Sequence, residues 1–126
     1  MQHVRKVDPA LFADPLTRAT QRLLDAATGA RTVSISCIQT PAGGGSPEGL
    51  HVHQVDQIFY VLRGTMSIEV AGEVSEVGPD ALIVFPAGVA HRNWNAGREP
   101  TVHLNVVSPL ADPDLPFATP APRSGS

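Results

Sequence analysis

Between residues 31 and 109 the chain alternates apolar and polar positions with a period of two, in short runs broken by turn residues. Side chains at i and i+2 of a β-strand share a face, so this pattern predicts strands. TVSISCIQT reads as the first, and PAGGGSPEG behind it as a mobile loop. HVH, QIFYVLRG and TMSIEVAG follow; in the last, Met66, Ile68 and Val70 alternate with Ser67 and Glu69. GEVSEVGPD closes on a Gly-Pro-Asp turn, ALIVF ends at Pro86, and TVHLNVVSP is a further strand. Many short strands at intervals of roughly ten residues predict an all-β sandwich or small barrel. QIFYVL and ALIVF are apolar on both faces. One face of each should therefore pack against a further layer or a second subunit, and a homodimer is expected.

Outside that region the pattern fades. Residues 1–30 read as an N-terminal arm followed by a helix, with Asp14 as N-cap, Pro15 at the first position and Gly29 as the stop. Leu16, Ala19, Leu23 and Ala26 recur near helical spacing. The stretch has few strong apolar anchors, and an extended path is the alternative. Residues 31–109 form the barrel segment. Residues 110–126 hold four prolines and one aromatic, Phe117. That is too proline-rich for a central strand, so the tail is expected to drape over the body before becoming disordered.

A chain of 126 residues is long enough for one domain with its own core. Its 9 basic and 12 acidic side chains give a net charge of −3 without a run of either sign, which argues against a nucleic-acid partner. No apolar stretch reaches the length of a bilayer span, and MQHVRKVDPA lacks the apolar core of a signal peptide, so no membrane partner is expected. The single cysteine excludes an internal disulfide and makes a reducing cytoplasm the expected compartment. Cys37 shares a face with Val33 and Ile35 and is expected to be a small buried hydrophobe.

The chemistry lies in the histidines. A strand would turn His51 and His53 to the same side. Two adjacent imidazoles repel when charged and are costly to bury when neutral and unpaired; a shared metal ion removes both problems. His91 follows the turn PAGVAH, and His103 sits mid-strand, sharing a face with Asn105 and Val107. His3 lies in the arm and is expected to be solvated.

The spacing of these residues resembles the two motifs of the cupin superfamily. Gly45, five residues, His51, one, His53, three, Gln57, six, Gly64 is similar to the first, with Gln57 where glutamate usually stands. Asp80, five residues, Pro86, one, Gly88, two, His91, three, Asn95 is similar to the second, with Asp80 in place of the usual glycine. The resemblance implies a single-domain jelly-roll barrel, the double-stranded β-helix, over residues 31–109. It also implies that His51, His53, Gln57 and His91 ligate one divalent transition metal, with Asn95 in support on the His91 side. Zinc, iron, manganese, nickel and cobalt all suit such a donor set. Asp56 is out of register for a ligand, and Arg63, Arg92 and Trp94 are expected outside the site.

Gln57 carries information. A carboxamide oxygen leaves the ion's charge undiminished, which favours Lewis-acid chemistry over oxygen activation. Histidines plus glutamine resemble the set in zinc-dependent polyketide cyclases and in cupins of sugar-acid metabolism. The expectation is an enzyme that enolises, cyclises or isomerises a small carbonyl compound. Phe59, Val61, Phe85 and Val107 would line its site, metal-bound hydroxide or His103 would move the proton and Asn105 would orient the substrate; a fourth imidazole near the metal and a satisfied core histidine are the other readings of His103. A metal-dependent dioxygenase and a non-catalytic ligand-binding cupin are the alternatives.

Overall fold

The computed structural model describes residues 3–46 and 49–121. The disorder expected at the C-terminal end concerns residues 122–126, and part of the glycine-rich loop is residues 47–48; both lie outside the described residues. Ten strands are formed among the described residues: β1 Ala19–Leu24, β2 Ser34–Thr40, β3 His51–His53, β4 Asp56–Arg63, β5 Met66–Val70, β6 Glu73–Val77, β7 Leu82–Phe85, β8 His91–Trp94, β9 Thr101–Ser108 and β10 Ala118–Pro120. They make two five-stranded antiparallel sheets, ordered β1-β2-β9-β4-β7 and β10-β3-β8-β5-β6. This is the jelly-roll arrangement expected for the all-β barrel.

Register decides which side chains face inward. In the first sheet, Arg22, Ser36, Asn105, Phe59 and Ile83 stand in one row across five strands. The flanking rows place Thr20, Ile38, His103 and Val61 on that face, and likewise Ser34, Val107, Gln57 and Phe85. Across the interior, Val70 pairs with His91, and His91 with His51. Phe59, Val61, Met66, Ile68, Ile83 and Phe85 pack from both sheets into one core. The apolar half of the barrel thus holds it shut, and the polar half gathers the histidines.

Two motif glycines are dictated by space. A Cβ on Gly45 would lie 2.6 Å from the Asn93 carbonyl oxygen, because the loop passes directly over β8. Gly64 has φ +78°, and a Cβ there would lie 2.6 Å from the Pro100 carbonyl oxygen. Asp80 adopts the left-handed φ of 71° where the motif usually has glycine, and its carboxylate accepts a hydrogen bond from the Tyr60 hydroxyl at 2.8 Å.

The helix expected after Asp14 does not form; residues 19–24 are β1, hydrogen-bonded to the edge of β2. The side chain of Asp14 accepts from the Leu16 amide and the Thr17 hydroxyl, which closes a turn. The apolar stripe was too sparse to bury a helix, and Leu16 stays 83% exposed. The open edge of β2 offered a full ladder of main-chain hydrogen bonds in its place. Gly29 is a stop, in the left-handed conformation, but of a one-turn 3-10 helix over Ala26–Thr28. Asp8 caps a second such turn, Pro9–Phe12, and its main chain exchanges two hydrogen bonds with the Gln21 side chain.

The tail does drape over the body, and it adds a strand in doing so. β10 pairs with β3 at the edge of the second sheet, where a proline is tolerated. Cys37 is fully buried, and burial pushes its thiol pKa up, as suits a core residue. No helix among the described residues is long and apolar enough to cross a membrane.

Candidate metal centre

β3 presents His51 and His53 at i and i+2, and β8 sets His91 directly opposite His51. All three rings are buried, with their ligating nitrogens within 4.8 Å of one another. Each ring is turned by a main-chain carbonyl: Gly49 O lies 2.6 Å from His51 Nδ1, Phe117 O 2.9 Å from His53 Nδ1, and Val89 O 3.0 Å from His91 Nδ1. A carbonyl only accepts, so each Nδ1 is the donor. With Nδ1 holding the hydrogen, the Nε2 atoms are the ones that offer lone pairs to an ion. Those of His51 and His53 are 3.2 Å apart, where two lone pairs repel. A cation between them turns that repulsion into ligation, and carbonyl-anchored Nδ1–H groups are the usual outer support of metal-bound histidine. The donor set fits a divalent transition metal.

Gln57 approaches from the opposite sheet. Its amide nitrogen donates one hydrogen to Asn105 Oδ1 at 2.8 Å, which fixes the flip of the carboxamide and leaves the oxygen as its acceptor, beside one further N–H. A cavity of about 160 Å3 connects these residues, lined by His51, His53, Gln57, Phe59, His103 and Asn105 among others. His103 forms part of its wall, 1% exposed, its ring 4.1 Å from that of Phe59. Neither of its nitrogens has a hydrogen-bond partner among the described residues. Burial, with the nearby Arg18 charge adding to it, lowers its pKa to about 3. The ring is therefore neutral at physiological pH.

Other residues settle into structural roles. Asp56 accepts from the Ala87 amide at 2.9 Å and braces a turn. Asn95 donates to the carbonyls of Thr40 and Glu99, tying the end of β8 to β2 and to the following turn. Arg92 pairs with Glu69 at 2.9 Å and lies over the Trp94 ring, outside the cavity. The first half of the glycine-rich loop is laced to β8: Gly43 and Ser46 donate to the carbonyls of Asn95 and Asn93, and Asn95 donates to that of Gly44.

Two contributors were not foreseen. Phe117 stacks on His53 with ring centroids 4.3 Å apart, and Arg18 lines the cavity from the residue before β1. Both come from segments outside the period-two pattern. The only signal for Phe117 was its being the sole aromatic of the tail.

Comparison with known proteins agrees. A search of the curated proteins returns no match. Among solved structures, the polyketide cyclase RemF from Streptomyces resistomycificus is similar at 26% identity and a TM-score of 0.67, over 76% of this chain and 68% of that one. KdgF from Halomonas sp. is 21% identical with a TM-score of 0.66, over 82% and 87% of the two chains. TT1209 from Thermus thermophilus is 22% identical with a TM-score of 0.68, over 84% and 98%. The model of the cupin domain matches residues 37–107, more than half of the chain and a span that runs from β2 into β9 through every candidate ligand. The chain belongs to the cupin superfamily.

Proposed function

We propose that the protein is a metal-dependent enzyme that moves a proton at the carbon beside a carbonyl group, the step common to enolisation, isomerisation and aldol-type cyclisation. His51, His53, His91 and the Gln57 amide oxygen would hold the ion. A divalent ion bound there supplies Lewis-acid polarisation of the substrate carbonyl. The observation that carries the reading is His103: a neutral imidazole, buried against the cavity, with neither nitrogen engaged among the described residues. A neutral ring can relay a proton, accepting at its lone-pair nitrogen as it gives up the hydrogen of the other, without resting as the cation that burial disfavours. Asn105 has its oxygen committed to Gln57, so its amide hydrogens remain for a substrate oxygen. Phe59 and Phe117 narrow the cavity and limit its water. Likeness to a polyketide cyclase at 26% identity supports carbonyl chemistry of this kind.

The test needs no knowledge of the natural substrate. Zinc-loaded protein is incubated in D2O with small ketones and 2-oxo acids, and exchange at the carbon beside the carbonyl is followed by NMR. Catalysed exchange that is lost in His103→Gln while metal content holds is the expected result. No exchange, with oxygen consumed by the iron-loaded protein, would replace this reading by the dioxygenase. Silence in both assays would favour a binding protein.

A further inference from the structure

We infer that the site takes an anionic substrate, a small carboxylate-bearing carbonyl compound such as a 2-oxo acid, and that Arg18 is the residue that receives the carboxylate. This assignment rests on the metal reading above and goes beyond it by giving the ligand a charge and an orientation.

The charge of the cavity calls for an anion. Three imidazoles and a carboxamide are neutral donors, so a divalent ion would keep both of its charges. Among the described residues lining the cavity there is no Asp or Glu, and Arg18 is the one formal cation. Arg18 itself is exposed at the rim, where solvent screens it in part, so it would meet an anion at the mouth of the cavity rather than in its depth. A neutral ligand would leave that charge uncompensated; a carboxylate answers it.

Position singles out Arg18. Arg18, Thr20 and Arg22 share a parity, and the β1–β2 register turns Thr20 and Arg22 to the inner face. Arg18 continues that line to the cavity, where its Nη1 donates to the Gly45 carbonyl at 3.3 Å. This long hydrogen bond leaves most of the guanidinium fork available, and a planar fork matches a carboxylate in two-point contact. His103 stands buried and unpartnered among the described residues in the same wall. A ligand spanning from the ion to Arg18 would lie along the wall that His103 and Asn105 help to form. Arg22, on the same inner face, lines an adjoining groove of about 320 Å3 that shares Ile38, Asn105 and Phe117 with the cavity. That groove has room for a longer substrate tail, and Arg22 is the alternative anchor.

The test compares pyruvate with its neutral amide, pyruvamide, which has the same number of heavy atoms and keeps the ketone. Each is titrated calorimetrically into full-length zinc-loaded protein, with metal content measured in parallel. Arg18→Gln should weaken pyruvate binding about tenfold. It should leave pyruvamide binding and zinc content unchanged, and Arg22→Gln should alter neither ligand. Equal loss for both ligands, or loss in Arg22→Gln only, would overturn the assignment to Arg18. Binding of neither probe, or of pyruvamide in preference to pyruvate, would overturn the anionic class. If wild type holds no more zinc than His91→Ala, the metal reading itself fails, and this inference fails with it.

Discussion

Replacing His103 by phenylalanine should make the protein more stable and inactive at once. A neutral imidazole has one N–H and one lone pair, and at His103 both are buried without a partner among the described residues. Leaving such groups unsatisfied costs about 1–3 kcal/mol. His103→Phe removes that cost and keeps a ring against Phe59, at an overpacking penalty on the order of 1 kcal/mol. The net gain at neutral pH should be up to about 2 kcal/mol, or an increase in Tm of up to about 8 °C for a chain of this size. Acid should widen the gap. Because the folded-state pKa of His103 is lowered to about 3 from 6.5, the unfolded chain binds more protons between those values. Stability contributed by the neutral ring is complete above pH 6.5 and is lost as pH falls toward 3, by at most roughly 5 kcal/mol. His103→Phe has no such group. The measurement is thermal and urea unfolding of metal-free wild type and variant from pH 8 to pH 4, alongside the exchange assay. A variant less stable than wild type at pH 7, with no widening in acid, would mean that the imidazole is satisfied in place and is an ordinary core residue.

Three further outcomes are expected. His51→Ala and His91→Ala should each lose most of the bound metal as read by elemental analysis, and retention at the wild-type level would refute the ligand assignment. Gln57→Glu should hold the metal more tightly, lower carbonyl proton exchange and leave oxygen uptake with iron flat or raised. The same substitution removes the amide that donates to Asn105 Oδ1, so the Asn105 amide should turn toward the new carboxylate and away from the cavity. Proton exchange rising in this variant would show the charge reasoning to be backwards. The outer face of the first sheet exposes Leu82 at 71% and Val84 at 53%, beside Ile58 and Tyr60 of β4, and a second copy of the chain is the expected cover. Sedimentation should give a dimer that Leu82→Glu weakens, and a strict monomer at micromolar concentration would refute it.

What the sequence made legible follows from the range of the interactions involved. β5 carries its own apolar-polar alternation, and β2, β4, β7 and β9 are short apolar-rich runs bounded by turn residues, so their type was readable from short windows. His51, His53 and His91 were readable for a related reason: a two-residue spacing fixes a shared face, and a turn with Gly88 aims the third ring. β1 was not readable, because its strand state comes from an edge supplied by β2 and its own residues carry little apolar pattern. β10 was hidden in the same way by the prolines of the tail, since its pairing partner β3 lies far earlier in the chain. Arg18 and Phe117 sit beside those two strands, so misreading the strands concealed their part in the cavity. The hydrogen bond from Gln57 to Asn105 was likewise set by pairing across β4 and β9, which no local spacing reveals.

The hydrogen bond from His53 to the Phe117 carbonyl makes the C-terminal segment a reporter of the metal. β10 is seated by its pairing with β3 together with that carbonyl, the Gln54–Asp112 exchange and the Ala121 to Leu50 hydrogen bond. If seating the strand favours ligation by His53, ligation must favour seating the strand by the same free energy. Chelation should therefore be visible at a distance, as faster amide exchange and easier proteolytic clipping near residues 112–121. The reciprocity also governs how the protein is handled: a bulky fusion close behind Ala121 pulls on the strand that orients a ligand, whereas one attached at the N-terminus does not.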